Sequence, residues 1–540
     1  MKINPLFDDV NFTIEEFLSR CGVPNPTQYL KAKTVEDTSK YDNIDEAKSL
    51  ILSYLKSPIY ILVDCDVDGF FSASLLYLFL KRLNINAKIT PMIHNTKVHG
   101  LSDKEILSWL KTQQKGLIIT PDSSVNDTKE CKELSALGFE ILIGGEHHLV
   151  EHDNPYATIV SNQIGNIDNR HGSGGLVTWH MCRHIDRELV KDLISYVAIS
   201  LIGDSMDMTS EENYTFTKWG KERIHPNLIP FVEELNRDGD TISCRSYSFG
   251  MVTCINSLIR LGTLEDKQEL FSALCGEIDP TDIIDKCKKY HAQQSNQSRK
   301  MVEDVDIVNN SSVVIGRLPE KTTMTGLIAG KLMSKYGKPI LLGRVNEDNG
   351  EFSGSVRSPI DFKDILADSG LTNFQTGHSR ACGFGYPLSN EQAIIDYLDS
   401  VVSDCEPYTD VLCSCRLNTI PNSLFSFVES YKHIFAKDLD TYNVHIQPFT
   451  IYNTDIKTLG RGNTIKFTVG DVDFISFFTS NEIKERLYMN VDEKVKLSVE
   501  VIGELGLNKF MGKTSKQIII DKFECTKVDD IPQSFEDFWG

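Results

Sequence analysis

The stretch Asp64-Cys65-Asp66-Val67-Asp68-Gly69 crowds three carboxylates into one short turn. It follows the apolar run Ile59-Tyr60-Ile61-Leu62-Val63 and precedes an apolar-rich segment from Phe70 to Leu83. That order predicts strand, tight turn, helix. Carboxylates this close repel one another, and at the end of a buried strand they are costly unless paired or held by a cation. Two further predicted strands, residues 116–120 and 140–143, run into Pro121-Asp122-Ser123 and Gly144-Gly145-Glu146-His147-His148. A fourth acid, Asp204, follows the apolar run from Leu193 to Ile202. In a doubly wound sheet, ligands bind at the carboxyl ends of the strands. Carboxylates with imidazole at successive strand ends suit manganese or magnesium better than a structural zinc. Two such ions close together can clamp a phosphoryl centre and acidify a water. Asp68 has a second reading, as a cap for the helix that starts beside Gly69.

The elements that must position these residues come from periodicity. Residues 43–55 have helical spacing, with Ile44, Ala47, Ile51 and Leu55 on one face. Strand-like runs at 59–63, 116–120, 140–143 and 158–160 alternate with helix-like segments. Ser102-Asp103-Lys104-Glu105 reads as a capping-box start, and residues 126–137 as a helix closed by Gly138. Such alternation implies a parallel sheet with helices on both faces. Residues 216–310 are helical by pattern, and a second α/β stretch begins at Ser311. From about 440 the pattern changes to short alternating runs punctuated by glycine, which predicts a small antiparallel barrel.

Length, at 540 residues, requires several cores. The expected division is a helical lead-in over 1–56, an α/β domain over 57–215, a helical connector over 216–310 and a smaller α/β domain over 311–405. A linker over 406–439, a barrel over 440–528 and an acidic tail over 529–540 complete it. The formal charge of -20 argues against passive, charge-driven binding of nucleic acid, but not against an enzyme that holds phosphates with a few placed cations. Between Thr441 and Cys525 acidic and basic residues balance. The 13 cysteines are scattered, no apolar run reaches membrane-spanning length, and the first residues do not begin a signal peptide. A reduced cytoplasmic compartment and no membrane association are expected.

These motifs carry a family resemblance. Asp64 to Gly69 resembles the first motif of the DHH phosphoesterase superfamily, in its RecJ-like branch. Asp122 sits at the second-motif aspartate, and Glu146-His147-His148 resembles the signature that names the superfamily, with Glu in place of Asp. Gly172-Ser173-Gly174-Gly175 resembles the glycine turn that precedes the fourth metal-binding aspartate, here Asp204. Asn256 and Arg260 resemble the segment facing the nucleic-acid channel. Gly354-Ser355-Val356-Arg357-Ser358 and Gly377-His378-Ser379-Arg380 resemble the two phosphate-contacting motifs of the DHH-associated domain. The last domain resembles the OB-fold of RecJ nucleases. Three positions depart from the pattern: Leu62, where many relatives have a metal-binding His; Glu146; and Ser123-Ser124, where a glycine-containing turn is usual.

The resemblance implies an α/β fold with a DHH-type parallel sheet, a DHH-associated domain and a C-terminal OB-fold. It implies a single-strand-specific 5′→3′ DNA exonuclease of DNA repair and recombination, releasing 5′-mononucleotides. Two divalent ions, manganese first and magnesium second, are expected among Asp64, Asp66, Asp122, His147 and Asp204. Asp122, His147 and His148 are the expected catalytic residues. Ser355, Arg357, His378, Asn256 and Arg260 are the expected substrate contacts, with Arg380 and His99 of lesser weight. Basic residues near aromatics in the barrel (Lys457, Arg461, Lys466, Lys509, Lys513 and Lys516, with Phe467 and Phe510) suit single-strand binding, or else a solvated face over core aromatics. The expected partners are single-stranded DNA and a single-strand-binding protein or helicase, with the chain as a monomer. Two rival readings are a phosphodiesterase for short RNA or cyclic dinucleotides, and a non-catalytic scaffold of a replication or repair complex.

Overall fold

The computed structural model describes residues 1–528, apart from 85, 237–239, 241, 320–323, 403–408, 461, 478, 480 and 511–512. For 146, 378, 482, 509 and 510 only the backbone is described. The expected acidic tail, Arg461, and the side chains of Glu146, His378, Lys509 and Phe510 therefore lie outside the described set. The chain divides into two compact units. One comprises residues 3–290 and 410–540, with Met1; the other comprises residues 291–409, with Lys2.

In the larger unit, β1 (Ile3–Phe7) belongs to a sheet completed far downstream. The run Ile59-Tyr60-Ile61-Leu62-Val63 forms β2 (Ile59–Val63), buried at every position, as an apolar β-branched run between two helical layers should be. It is followed by β3 (Ile89–Ile93), β4 (Leu117–Ile119), β5 (Glu140–Glu146) and β6 (Thr158–Ser161). All four pairings are parallel, in the order β3-β2-β4-β5-β6. The chain thus starts in the middle of the sheet, steps outward to β3, then returns past β2 to β4. A reversal of this kind opens a crevice beyond the carboxyl ends of the two central strands. Asp64 and Asp66 follow β2, and Asp122 follows β4. The strand β3 is absent from the sequence-based expectation. Pro91 and partial exposure obscure its pattern, and both are tolerated because it is an edge strand.

Helices Val67–Leu83, Gly174–Ile185 and Ile194–Gly203 are buried on most sides and pack on one another beside the sheet. Asp103, not Ser102, caps the helix Lys104–Lys111, accepting from the Glu105 and Ile106 amides. The expected lead-in does contain helices, among them Ile44–Tyr54, but opens with β1. Residues 211–235 and 244–303 are mostly helical.

The smaller unit carries β7 (Asp306–Asn310), β8 (Val314–Arg317), β9 (Ile340–Asn346), β10 (Glu351–Arg357), β11 (Phe374–His378) and β12 (Ala381–Pro387). They form one sheet in the order β11-β12-β10-β9-β8-β7, with helices Thr325–Tyr336 and Glu391–Val402.

The chain then adds β13 (Thr409–Cys415), β14 (Asn443–Tyr452), β15 (Lys457–Leu459), β16 (Thr464–Val469), β17 (Val472–Ser476), β18 (Lys496–Phe510) and β19 (Lys513–Lys527). With β1 they make an eight-stranded, OB-like sheet, ordered β1-β13-β14-β18-β19-β17-β16-β15. The segment expected as a linker instead supplies β13 and the helix Asn422–Tyr431. The sheet is also mixed, because β13 pairs with β14 and β17 with β19 in parallel. A period-two pattern reports which face a residue occupies but not strand direction.

Gly69 shows how tightly the first turn is built. A Cβ there would sit 2.5 Å from Asp64 Cβ and 2.7 Å from Asp64 Cα. Gly69→Ala should therefore push the helix Val67–Leu83 off the strand end, lowering stability by about 1–3 kcal/mol. A urea melt followed by tryptophan fluorescence measures this; an unchanged midpoint would contradict the close packing.

Candidate metal centre

The turn after β2 separates its three acids by role. Asp66, not Asp68, is the N-cap of the helix Val67–Leu83, accepting from Gly69 N at 3.0 Å. Asp68 points back across the crevice instead. Its oxygens accept from Gly174 N (2.9 Å), Gly175 N (3.1 Å) and the Ser200 hydroxyl (2.5 Å). It thus anchors the first turn of the helix Gly174–Ile185, whose N-terminal amides favour an anion. A side chain at Gly174 would strike Asp122, 2.5 Å from Oδ1, so the small turn is required for the approach. Asp64 lies between two histidines: His99 Nδ1 is 2.6 Å from Oδ2, and His94 Nε2 is 3.6 Å from Oδ1. Gly100 N also donates to Asp64 Oδ1 at 3.2 Å.

Asp122 sits on the opposite lip at φ 77°, a backbone region that costs energy for any residue but glycine. Ser124 adopts φ 83°, so this turn reaches with aspartate and serine the geometry that a glycine would give freely. The buried Asp122 Oδ1 accepts no hydrogen bond, and His147 Nε2 lies 2.9 Å from it. His147 Nε2 is also 3.8 Å from Asp68 Oδ2 and 3.7 Å from Asp204 Oδ2. A register shift between Gly144 and Glu146 on β5 marks the turn toward His147. His148 is exposed, its ring 4.3 Å from that of His147.

The electrostatics follow from this crowding. Burial, then Asp64 and Asp68 nearby, raises the Asp66 carboxyl to about 6. Asp204 is pushed up to about 8 by loss of surrounding water and by Asp68 and Asp66. Asp122 is raised well above the usual range by burial and by its four acidic neighbours. His99 is raised to about 11 by its contacts with Asp64 and then Cys65. Acids held this far from their ordinary ionisation form a site short of positive charge. Two ligand groupings fit a cation here, Asp64-Asp66-Asp122 and Asp68-Asp122-His147. Oxygen donors with one imidazole, and a buried carboxylate oxygen lacking a hydrogen bond, match what manganese or magnesium requires.

The structure brings Asp64, Asp66, Asp122, His147 and Asp204 together, and adds Asp68 and His94. His94 follows β3 as Asp64 follows β2, so the signal was another strand end, hidden with its strand. Lys267, buried on the helix Leu264–Leu274, donates to the carbonyls of His94 (3.0 Å) and Asn95 (2.8 Å) and fixes that turn.

The expected substrate contacts divide between the units. Asn256 and Arg260 lie four apart on the helix Thr253–Leu261. Asn256 Oδ1 is buried without a hydrogen bond, and Arg260 is exposed. In the smaller unit, Ser355 and Arg357 lie on β10; Ser355 Oγ is 2.8 Å from Thr325 Oγ1, and Arg357 Nη1 donates to Val356 O. The Arg357 guanidinium lies so close over Gly326 that a Cβ there would come within 2.7 Å of it. His378 ends β11. Arg380 ion-pairs with Asp361 on the surface. In the OB-like sheet, Lys466 pairs with Asp473 and Lys516 with Asp471. Phe467 is buried and stacks on Phe474 at 4.9 Å, a core role that corrects the stacking-platform reading at this position.

The profile of the DHH family, N-terminal domain, matches residues 58–201, the span that carries β2 to β6 and the acid cluster. A Bacillus subtilis (strain 168) protein, provisionally named an SPbeta prophage-derived single-strand DNA-specific exonuclease, YorK, is 27% identical, over 96% of this chain and 97% of its own. The single-stranded-DNA-specific exonuclease RecJ of the same bacterium is 21% identical over 88% of this chain, which spans 62% of that protein. Among solved structures, RecJ of Thermus thermophilus in complex with Mn2+ superposes with a TM-score of 0.68 at 17% identity, covering 97% of this chain and 78% of that one. Residues 58–201 therefore match the DHH family, N-terminal domain, and the chain is similar along most of its length to proteins named as single-strand DNA-specific exonucleases.

Proposed function

We propose that this protein is a metal-dependent exonuclease that hydrolyses single-stranded DNA from 5′ to 3′ and releases 5′-mononucleotides. The observation that carries the reading is the strained, buried Asp122, 2.9 Å from His147, within a ring of acids at the switch point of the sheet. The names of the YorK and RecJ relatives support the substrate class. Divalent cations held among Asp64, Asp66, Asp122, His147 and Asp204 supply the positive charge that polarises a phosphoryl group and acidifies a water. The chain's own groups do the rest. Asp68 and the Gly174-Gly175 amides hold the far lip rigid. His148, exposed beside His147, meets the scissile phosphate and handles a proton there. Arg357, with Ser355 and His378, grips substrate phosphates through its planar guanidinium. Asn256 and Arg260 guide the strand.

A cavity of about 200 Å³ supports a single strand as the substrate. Ser205 and Met206, next to Asp204, line it with Arg245, Phe249 and Tyr442. Phe249 is exposed, and the Arg245 guanidinium lies 5.9 Å from its ring and 5.7 Å from that of Tyr442. An exposed ring beside a cation suits an unpaired base.

Digestion of 5′-labelled single-stranded DNA with manganese should yield labelled mononucleotides. Asp122→Ala and His147→Ala should each lower the rate by more than about a hundredfold. Equal release by the variants would end the enzyme reading, and faster cleavage of a dinucleotide than of a long strand would favour the short-substrate alternative. Phe249→Ala should weaken single-strand binding by about 1–3 kcal/mol in a fluorescence-anisotropy titration, and no loss would remove the stacking role.

The raised acids also set a pH dependence. An acid whose folded pKa exceeds its unfolded value favours the fold at low pH, and that contribution is lost as pH rises through the folded value. For Asp66 and Asp204 the loss falls between about pH 4 and 8. A bound cation reverses it, because it prefers the ionised acids. The rise in melting temperature given by manganese should therefore be larger at pH 8 than at pH 5; equal rises would mean that these acids do not hold the ion.

A further inference from the structure

Cys65 stands between Asp64 and Asp66 in the first turn. Its Sγ lies 3.6 Å from each ring nitrogen of His99. Asp64 Oδ2 lies 2.6 Å from His99 Nδ1, so carboxylate, thiol and imidazole form one tight group. On the other side of Asp64 stands His94, whose side chain is fully buried. Its Nδ1 lies 2.9 Å from Asp103 Oδ2, which places the ring proton on Nδ1 and leaves a lone pair on Nε2. That Nε2 makes no hydrogen bond and points at Asp64 Oδ1, 3.6 Å away. A carboxylate behind a buried imidazole whose free nitrogen faces a ligand oxygen is how proteins orient a histidine for a metal.

The sulfur–nitrogen spacing agrees with one. Sulfur at about 2.3 Å and nitrogen at about 2.0 Å from a tetrahedral zinc lie about 3.5 Å from each other, and nitrogen and oxygen about 3.3 Å, so the 2.6 Å contact of His99 with Asp64 opens as the ion replaces the proton between them. Manganese and magnesium prefer oxygen, whereas a thiolate with two imidazoles selects a borderline or soft ion. Asp64, Cys65 and His94 come from the ends of adjacent strands, β2 and β3, His99 precedes the turn Gly100–Ser102, and Lys267 clamps the carbonyl of His94.

We propose that Asp64, Cys65, His94 and His99 form a sulfur-bearing cation subsite that takes zinc, and that zinc bound there withdraws Asp64 from the acid cluster. The second clause rests on the reading of Asp64 as a ligand of the catalytic ions; the first does not. Cobalt reports the subsite directly. One equivalent added to the full chain should give a near-ultraviolet thiolate-to-cobalt charge-transfer band that zinc abolishes. Cys65→Ser should remove the band, His94→Gln should weaken cobalt binding about 10- to 100-fold, and Asp122→Ala should keep the band. No band in the native protein, or a band that survives Cys65→Ser, overturns the subsite. Should Cys65→Ser fail to fold by circular dichroism, His94→Gln decides, and unchanged cobalt affinity overturns the subsite. In the nuclease assay, zinc should raise the manganese concentration needed for half-maximal rate in the native protein. An unshifted requirement overturns the second clause, whereas a protein that shows the band but no nuclease activity with any metal refutes the exonuclease reading and leaves the subsite standing.

Discussion

The burial of like charges at the carboxyl ends of β2 and β4 governs the rest of this structure. Two carboxylates 4 Å apart repel by about 4 kcal/mol at the effective dielectric near a protein surface. Asp64, Asp68 and Asp122 are each buried, with Asp66 between them. The fold answers with oriented dipoles: backbone amides of Gly69, Gly100, Gly174 and Gly175 donate into the acids, and so does the Ser200 hydroxyl. These donors favour the ionised acids, but burial and then the neighbouring acids outweigh them, and Asp66, Asp122 and Asp204 all hold protons more tightly than usual. A site so arranged gains most when cations enter.

The same constraint explains the local irregularities. Each would destabilise an ordinary α/β domain, and each brings a donor to one point. Asp122 takes a left-handed backbone conformation that carries its carboxylate under the Gly174 turn. The register of β5 shifts before His147. Strain of this sort persists only where the surroundings over-determine it. Here they do: the helices Val67–Leu83, Gly174–Ile185 and Ile194–Gly203 are almost entirely buried and touch one another.

The acids, His147 and the central strands were legible in the sequence because β2, β4 and β5 are apolar runs ending in ligand-type residues. The edge strand β3 was not, since Pro91 and its half-exposed face break the pattern, and His94 was lost with it. The role of Asp68 was also hidden. A local rule makes an acid next to a helix start a cap, but its partners, Gly174, Gly175 and Ser200, lie more than a hundred residues away. Likewise β1 and β13 could not be read as members of the OB-like sheet, because their pairing joins the start of the chain to a segment some four hundred residues later.

The OB-like sheet is not a detachable feeder of substrate. Its buried residues, such as Val444, Val501 and Ile518, belong to the same core as Phe70 and Ile199 beside the acids. Met208, shortly after Asp204, donates its amide to Lys437 O, and the hydroxyl of Tyr29 reaches Met208 O. Arg245, which packs near Phe249 and Tyr442, is held by Glu504 of β18. The aromatic-lined cavity next to Asp204 is thus positioned by both sheets at once. Its distance from the acid cluster is set by that shared core and not by a flexible tether.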